Sequence, residues 1–232
     1  MCTDKHAVLP ALERMQPGDH YCGIFRSDAD QRQITIDFVR LGIERHERML
    51  YLVHLQTADR LRTTLQTADI DVDALVASGQ LVIQSAKEVY LVDGAFQPER
   101  MIEMLGRETE AALRAGYAAL RVTGEMSWAL AGDPGSERLV EYEALLNDFY
   151  ATGAKSYSIC QYDQRRFDAE LMNDVLHTHP SVLLDTEGFD NASMYYVPPE
   201  AFLTADRSSG ILETRLANLV NVSSKAMPGV PT

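Results

Sequence analysis

No stretch of this 232-residue chain offers the roughly 18 consecutive apolar residues that a membrane-spanning helix needs, so none is expected. Cysteine is scarce. Cys2, Cys22 and Cys160 form an odd set without close pairs, which argues against a disulfide framework and for a reducing compartment. Positive charge is short: 21 Lys and Arg stand against 34 Asp and Glu, for a formal net charge of −13. Non-specific nucleic-acid binding relies on cations that neutralise phosphates, so direct contact with nucleic acid is not expected, nor is attachment to an anionic membrane. The first fifteen residues mix Asp4, Lys5, Glu13 and Arg14 with few apolar ones, unlike a secretory signal. Together these features imply a cytoplasmic protein.

A glycine-rich phosphate loop is also missing. It would follow the first strand, where residues 25–33 read FRSDADQRQ. That segment has no glycine, no Lys followed by Ser or Thr, and two aspartates that would repel a triphosphate. A nucleotide-hydrolysing enzyme is therefore not expected. No Ser/His/Asp or Cys/His/Asn order marks a hydrolase.

What is present is alternation. Residues 34–42 have apolar positions at helical spacing, in a helix that starts near Asp28. Residues 49–55 (MLYLVHL) form an apolar, β-rich run of the kind found in buried parallel strands. Helices are expected over 58–68, at the end of 69–79, over 99–115, over 136–150 with Ser136 as N-cap, and over 168–178. Strands are expected over 80–86, 117–123, 156–162 and 194–198. Such alternation predicts an α/β fold with a mainly parallel central sheet of six or seven strands and helices on both faces. The strand over 117–123 is expected to be central.

Ligands of open α/β sheets bind at the carboxyl ends of strands. Residues 120–130 (LRVTGEMSWAL) place Glu125 and the only tryptophan, Trp128, just past such an end. A cavity is expected between the strand ends carrying Cys22, Glu125 and Cys160, with Trp128 and Tyr162 as apolar wall. Burial would raise the Glu125 pKa unless a cation pairs with it. Asp163, Arg165 and Arg166 follow the Cys160 strand and suit ion pairs at a helix start.

His20 and Cys22 lie two residues apart, so on a strand they share a face. With Cys160, and His177 or His179, they make a thiol and imidazole set that suits zinc or another transition metal. Two other readings stay open: a thiol pair that oxidises, and small buried cysteines that only pack. Tyr90 and Tyr162 suit packing as well as ligand contact, and His54 suits a strand end.

Several segments together, GDHYCGIF, MLYLVH, IDVDALVASGQLVI, GYAALRVTGEMSWAL, PGSERLVEYEALLN and CQYDQRRF, resemble the MEDS sensory domain of methanogens and methylotrophs over residues 17–184. The resemblance implies a RecA/KaiC-like fold without its phosphate-binding loop. It implies a non-enzymatic sensor of a small metabolite such as a hydrocarbon derivative. The partner would be a signalling or transcription-regulatory protein, and a second copy of the chain is a further candidate. By residue, the likeness covers His20, Cys22, Glu125, Trp128, Cys160, Tyr162, Asp163 and His179, while His54 stands where an acidic residue is expected. The chain then divides into an N-terminal extension (1–16), the sensory domain (17–203) and a tail (204–232) that is a linker or the stub of an output helix. Two rivals remain: a metal- or redox-responsive switch built on His20, Cys22 and Cys160, and a degenerate RecA/KaiC-like ATPase.

Overall fold

The computed structural model describes residues 9–226, with side chains through 219. Cys2 lies outside the described residues. The apolar runs become five parallel strands: β1 (His20–Phe25), β2 (Arg48–Val53), β3 (Leu81–Ser85), β4 (Leu120–Glu125) and β5 (Ser156–Asp163). Two short ones follow, β6 (Ser181–Leu184) and β7 (Glu187–Asp190). The sheet runs β3-β2-β4-β5-β1-β6-β7, and only the β6–β7 pair is antiparallel. β4 and β5 are buried at every position, as strands covered on both faces must be.

Helices cover both faces. On one face lie α1 (Pro10–Arg14), α2 (Asp28–Glu44), α3 (Ala58–Gln66) and α4 (Val72–Ala77). On the other lie α5 (Ala86–Tyr90), α6 (Pro98–Arg114), α7 (Leu139–Ala151) and α8 (Ala169–Thr178). Each face has its own apolar core, because side chains alternate along every strand. Cys22, Leu52, Val122, Cys160 and Tyr162 point to the α5–α8 face. Tyr51, Tyr157 and Ile159 point to the α1–α4 face. That second core also takes in Leu12 and Met15, from the segment read as an N-terminal extension. It encloses an ion pair: Arg121 Nε donates to Glu47 Oε2 at 2.8 Å, and the Tyr157 hydroxyl donates to the same oxygen.

Two expectations need correction. Residues 194–198 form no strand. Their backbone closes on Asn191, whose carbonyl accepts from Met194 and Tyr196, and Pro198 and Pro199 then remove two ladder donors. The edge strand is β7 instead, reached through a turn at Asp185, whose φ is 55°. Ser136 caps nothing: it opens a 3₁₀ turn (Ser136–Arg138), and α7 starts behind it without a side-chain cap. Within the segment read as a linker or the stub of an output helix lies α10 (Arg207–Ala226), preceded by α9 (Pro199–Phe202). α10 meets α9 through Gly210, where a Cβ would come within 2.2 Å of the Ala201 carbonyl oxygen. Arg215 Nη2 reaches His177 Nε2 at 2.7 Å.

Candidate sensory site: a donor cluster and a polar cleft

The sheet separates the residues that the sequence placed in one pocket. Along β4, Glu125 alternates with Gly124 and so faces α2 and α3, opposite to Cys160. Trp128 lies past the strand in a 3₁₀ turn (Met126–Ala131) that returns it to the α5–α8 face. There it is fully buried, stacked on Tyr90 at 4.6 Å and against Phe96 at 4.7 Å. Trp128 and Tyr90 are core residues and line no cleft at the strand ends. The expected single cavity walled by Trp128 and Tyr162 is therefore two separate places.

The first is a buried cluster on the α5–α8 face. β1 and β5 pair in parallel with Cys22 opposite Cys160. His20, two residues nearer the start of β1, turns its ring toward Cys160, with Nε2 at 3.5 Å from Sγ. α7 adds Glu143, whose Oε2 lies 3.2 Å from His20 Nε2. His179, just after α8, places Nε2 at 3.4 Å from the same oxygen. The ligand atoms of His20, Glu143, Cys160 and His179 all lie within 4.8 Å of one another. All four residues are buried. Cys22 is buried beside them but is not one of the four. Its expected place in the set is taken by Glu143. His177 does not join either, since its ring turns to Arg215.

The outer hydrogen bonds fix which atoms face inward. His20 Nδ1 lies 3.0 Å from Asn147 Oδ1. The amide orientation of Asn147 is set by its Nδ2, which donates to the carbonyls of Glu143 and Thr178 at 3.2 and 2.7 Å. Its oxygen therefore faces His20, and His20 Nδ1 must carry the hydrogen. His179 Nδ1 lies 2.7 Å from the Val175 carbonyl and donates to it in the same way. Both Nε2 lone pairs thus point inward. Tyr162 donates its hydroxyl to Glu143 Oε1, which leaves Oε2 to the imidazoles. Glu143 Oε2 and His179 Nε2 are buried with no hydrogen-bond partner among the described residues.

Electrostatics follow from burial. Desolvation, then the facing His179, lowers the His20 pKa. Burial opposes the Glu143 charge, and the His179 and His20 imidazoles hold its carboxyl well below the usual range only when a proton, rather than a lone pair, faces it. Burial, reinforced by Glu143, pushes both the Cys22 and Cys160 thiols up.

The second place is a cleft of about 200 Å³ at the carboxyl ends of β1, β2, β4 and β5, on the α1–α4 side. Gln161, Gln56, Ser127, Arg32, Arg60 and Asp163 are among its walls. Its floor is a closed network. Gln161 Nε2 donates to Thr123 Oγ1 and the Tyr51 hydroxyl at 2.8 and 3.0 Å, and its Oε1 accepts from Gln31 at 3.0 Å. Glu125 Oε2 accepts the Leu55 and Gln56 backbone N–H groups at 2.8 and 3.1 Å, pinning the β2–α3 loop. Glu125 Oε1 and Gln56 Nε2 have no partner among the described residues. Burial raises the Glu125 pKa, against the pull of those backbone donors. His54 follows β2 and lies 2.9 Å from Ser127 Oγ.

Asp163 is paired as expected, with Arg165 at 2.7 Å and Arg166 at 3.3 Å. Arg165 also reaches Asp28 at 2.6 Å. Arg32 and Arg60 make no side-chain hydrogen bond or ion pair with other described residues. Of the residues expected to bind a ligand, only Asp163 lines the cleft. Glu143, Asn147, Gln161 and Arg60 were missed. Glu143 and Asn147 had one signal: polar residues four apart on the face of α7 that carries Leu139, Tyr142 and Leu146.

No helix among the described residues is long and apolar enough to cross a membrane. The fold resembles a KaiC-like protein from Pyrococcus horikoshii, with a TM-score of 0.52 and 13% identity over 72% of this chain and 71% of that one. It also resembles the flagellar accessory protein FlaH from Methanocaldococcus jannaschii, with a TM-score of 0.50 and 11% identity over 73% of this chain and 72% of that one. The sheet is thus RecA/KaiC-like. A curated relative, the transcriptional repressor DcmR of Methylorubrum extorquens, is 26% identical over 164 residues. The match covers 69% of this chain and 58% of that repressor's length. A family model described as the methanogen/methylotroph, DcmR sensory domain (MEDS) matches residues 19–180, and the chain belongs to that family of sensory domains.

Proposed function

We propose that the chain is a non-enzymatic sensory module that binds a small, polar, anionic metabolite in the cleft and regulates a signalling or transcription partner. One observation carries the ligand class. Arg32 and Arg60 stand without a side-chain hydrogen bond or ion pair to other described residues beside a polar cleft, although the protein has 13 more acidic than basic groups. Unpaired guanidinium groups recognise carboxylates and phosphates through charge-assisted hydrogen bonds. Gln56, whose Nε2 has no hydrogen-bond partner among the described residues, belongs to the cleft wall. A hydrocarbon derivative would enter such a cleft only by a polar end, such as a carboxylate.

Nucleotide turnover fits poorly. Only Arg26 and Ser27 separate β1 from α2. Ser27 caps that helix by accepting from the Asp30 N–H, and Asp28 and Asp30 already occupy its first turn. Its terminal N–H groups and its dipole are thereby used internally.

Calorimetry with a panel of short carboxylates, compared with ATP and magnesium, tests the proposal. A carboxylate is expected to bind, and Arg60→Ala is expected to weaken it about tenfold, which is about 1.4 kcal/mol. Tight binding or hydrolysis of ATP would end the reading. So would carboxylate binding that Arg60→Ala and Arg32→Ala leave intact.

A further inference from the structure

We infer that His20, Glu143, Cys160 and His179 form a closed binding site for one divalent transition metal of the zinc class. The inference does not rest on the cleft, which shares none of these residues.

Geometry comes first. Zinc bonds to nitrogen, oxygen and thiolate of about 2.0 to 2.3 Å place neighbouring ligands of a tetrahedron about 3.3 to 3.8 Å apart. The measured separations are 3.2 Å (His20 to Glu143), 3.4 Å (His179 to Glu143) and 3.5 Å (His20 to Cys160). These three separations are close to those of a coordination shell, and all four atoms lie within 4.8 Å of one another.

Atom type is the second point. With Nδ1–H of both histidines committed to Asn147 and Val175, two lone pairs meet a carboxylate oxygen in a buried interior. The outer acceptor on each imidazole is the arrangement that metal-bound histidines use to fix their tautomer. Without a metal, a proton would have to bridge His179 Nε2 to Glu143 while the Cys160 thiol hydrogen faces His20 Nε2 at 3.5 Å. A divalent cation satisfies every inward-facing atom at once.

Charge is the third point. Glu143 and a Cys160 thiolate bring two negative charges, and a divalent ion cancels them. Binding releases the thiol proton, so uptake strengthens as pH rises. All four coordination positions come from protein and all four residues are buried, which is the pattern of a structural site rather than a catalytic one. Such an ion would tie β1, β5, α7 and the segment after α8 into one unit.

The test is elemental analysis of the full chain purified from zinc-supplemented medium, followed by replacement with cobalt(II). About one metal per chain is expected, together with the intense visible bands of tetrahedral cobalt and a thiolate-to-cobalt charge-transfer band. Cys160→Ser should remove the thiolate band and lower affinity at least tenfold. Cys22→Ser should keep both, and Arg60→Ala should keep the metal. Wild-type protein that takes up no stoichiometric zinc or cobalt, or binds cobalt without a thiolate band, overturns the site. A metal content that falls equally in Cys22→Ser and Cys160→Ser overturns this set of ligands. Should Cys160→Ser fail to fold, the wild-type stoichiometry and cobalt spectrum still decide.

Discussion

Asn147 accepts from His20 Nδ1 at 3.0 Å while its own amide is held by two backbone carbonyls. One α7 side chain thus decides which nitrogen of a β1 histidine faces the cluster. Asn147→Leu removes that control and leaves the His20 N–H and the Thr178 carbonyl buried without partners. The loss should cost about 1–3 kcal/mol of stability. It should also lower cobalt affinity about 10–100-fold, as loss of an outer partner does at other metal sites. Chemical denaturation and a cobalt titration of the same variant check both numbers.

Trp128→Ala is expected to act on stability rather than on ligand affinity. Trp128 is fully buried between Tyr90 and Phe96, so its removal opens a cavity costing about 3–5 kcal/mol. The folded fraction should bind cleft ligands as the parent does. A variant that keeps its urea midpoint but loses ligand binding would place Trp128 in the binding site.

Glu125 sets a pH dependence. Its folded pKa is raised, first by burial, so its protonated form is favoured in the folded state. That contribution is fully present below the unfolded carboxylate value and is lost as pH rises through the folded one. Glu125→Gln keeps an oxygen for the Leu55 and Gln56 N–H groups and removes the buried charge. It should therefore raise the urea midpoint at pH 7, with the gain shrinking as pH falls toward the ordinary carboxylate range. Paired urea titrations across that range check the sign.

The ion pair inside the α1–α4 core gives a further outcome. Arg121 is fully buried, and its Nε meets Glu47 at 2.8 Å. Arg121→Ala strands the Glu47 carboxylate and should destabilise by about 3–5 kcal/mol. Replacing both residues with apolar side chains of similar volume should recover most of that loss. Thermal unfolding of the single and double variants measures the difference.

The parallel sheet was legible because β2, β4 and β5 are long, buried runs flanked by amphipathic helices. The shared face of His20 and Cys22 also followed from strand periodicity. What stayed hidden depends on contacts distant in sequence. Whether Glu125 and Cys160 share a face is settled by the β4–β5 register, which pairs Gly124 with Cys160. The return of Trp128 to the opposite face depends on a single 3₁₀ turn. Glu143 looked like one more charge in a helix rich in them, and its burial appears only once α7 is laid against β1 and β5. The turn at residues 194–198 was obscured because aromatic and β-branched residues imitate a strand. The buried donors of Asn191 that organise it, to the carbonyls of Leu176 and His179, come from elsewhere in the chain.

The sheet stands between the donor cluster and the cleft, so side chains on its two faces share few partners. Free-energy effects of substitutions at such separated sites add rather than couple. Changes in the walls of the cleft can therefore alter what it admits and leave the interior cluster undisturbed.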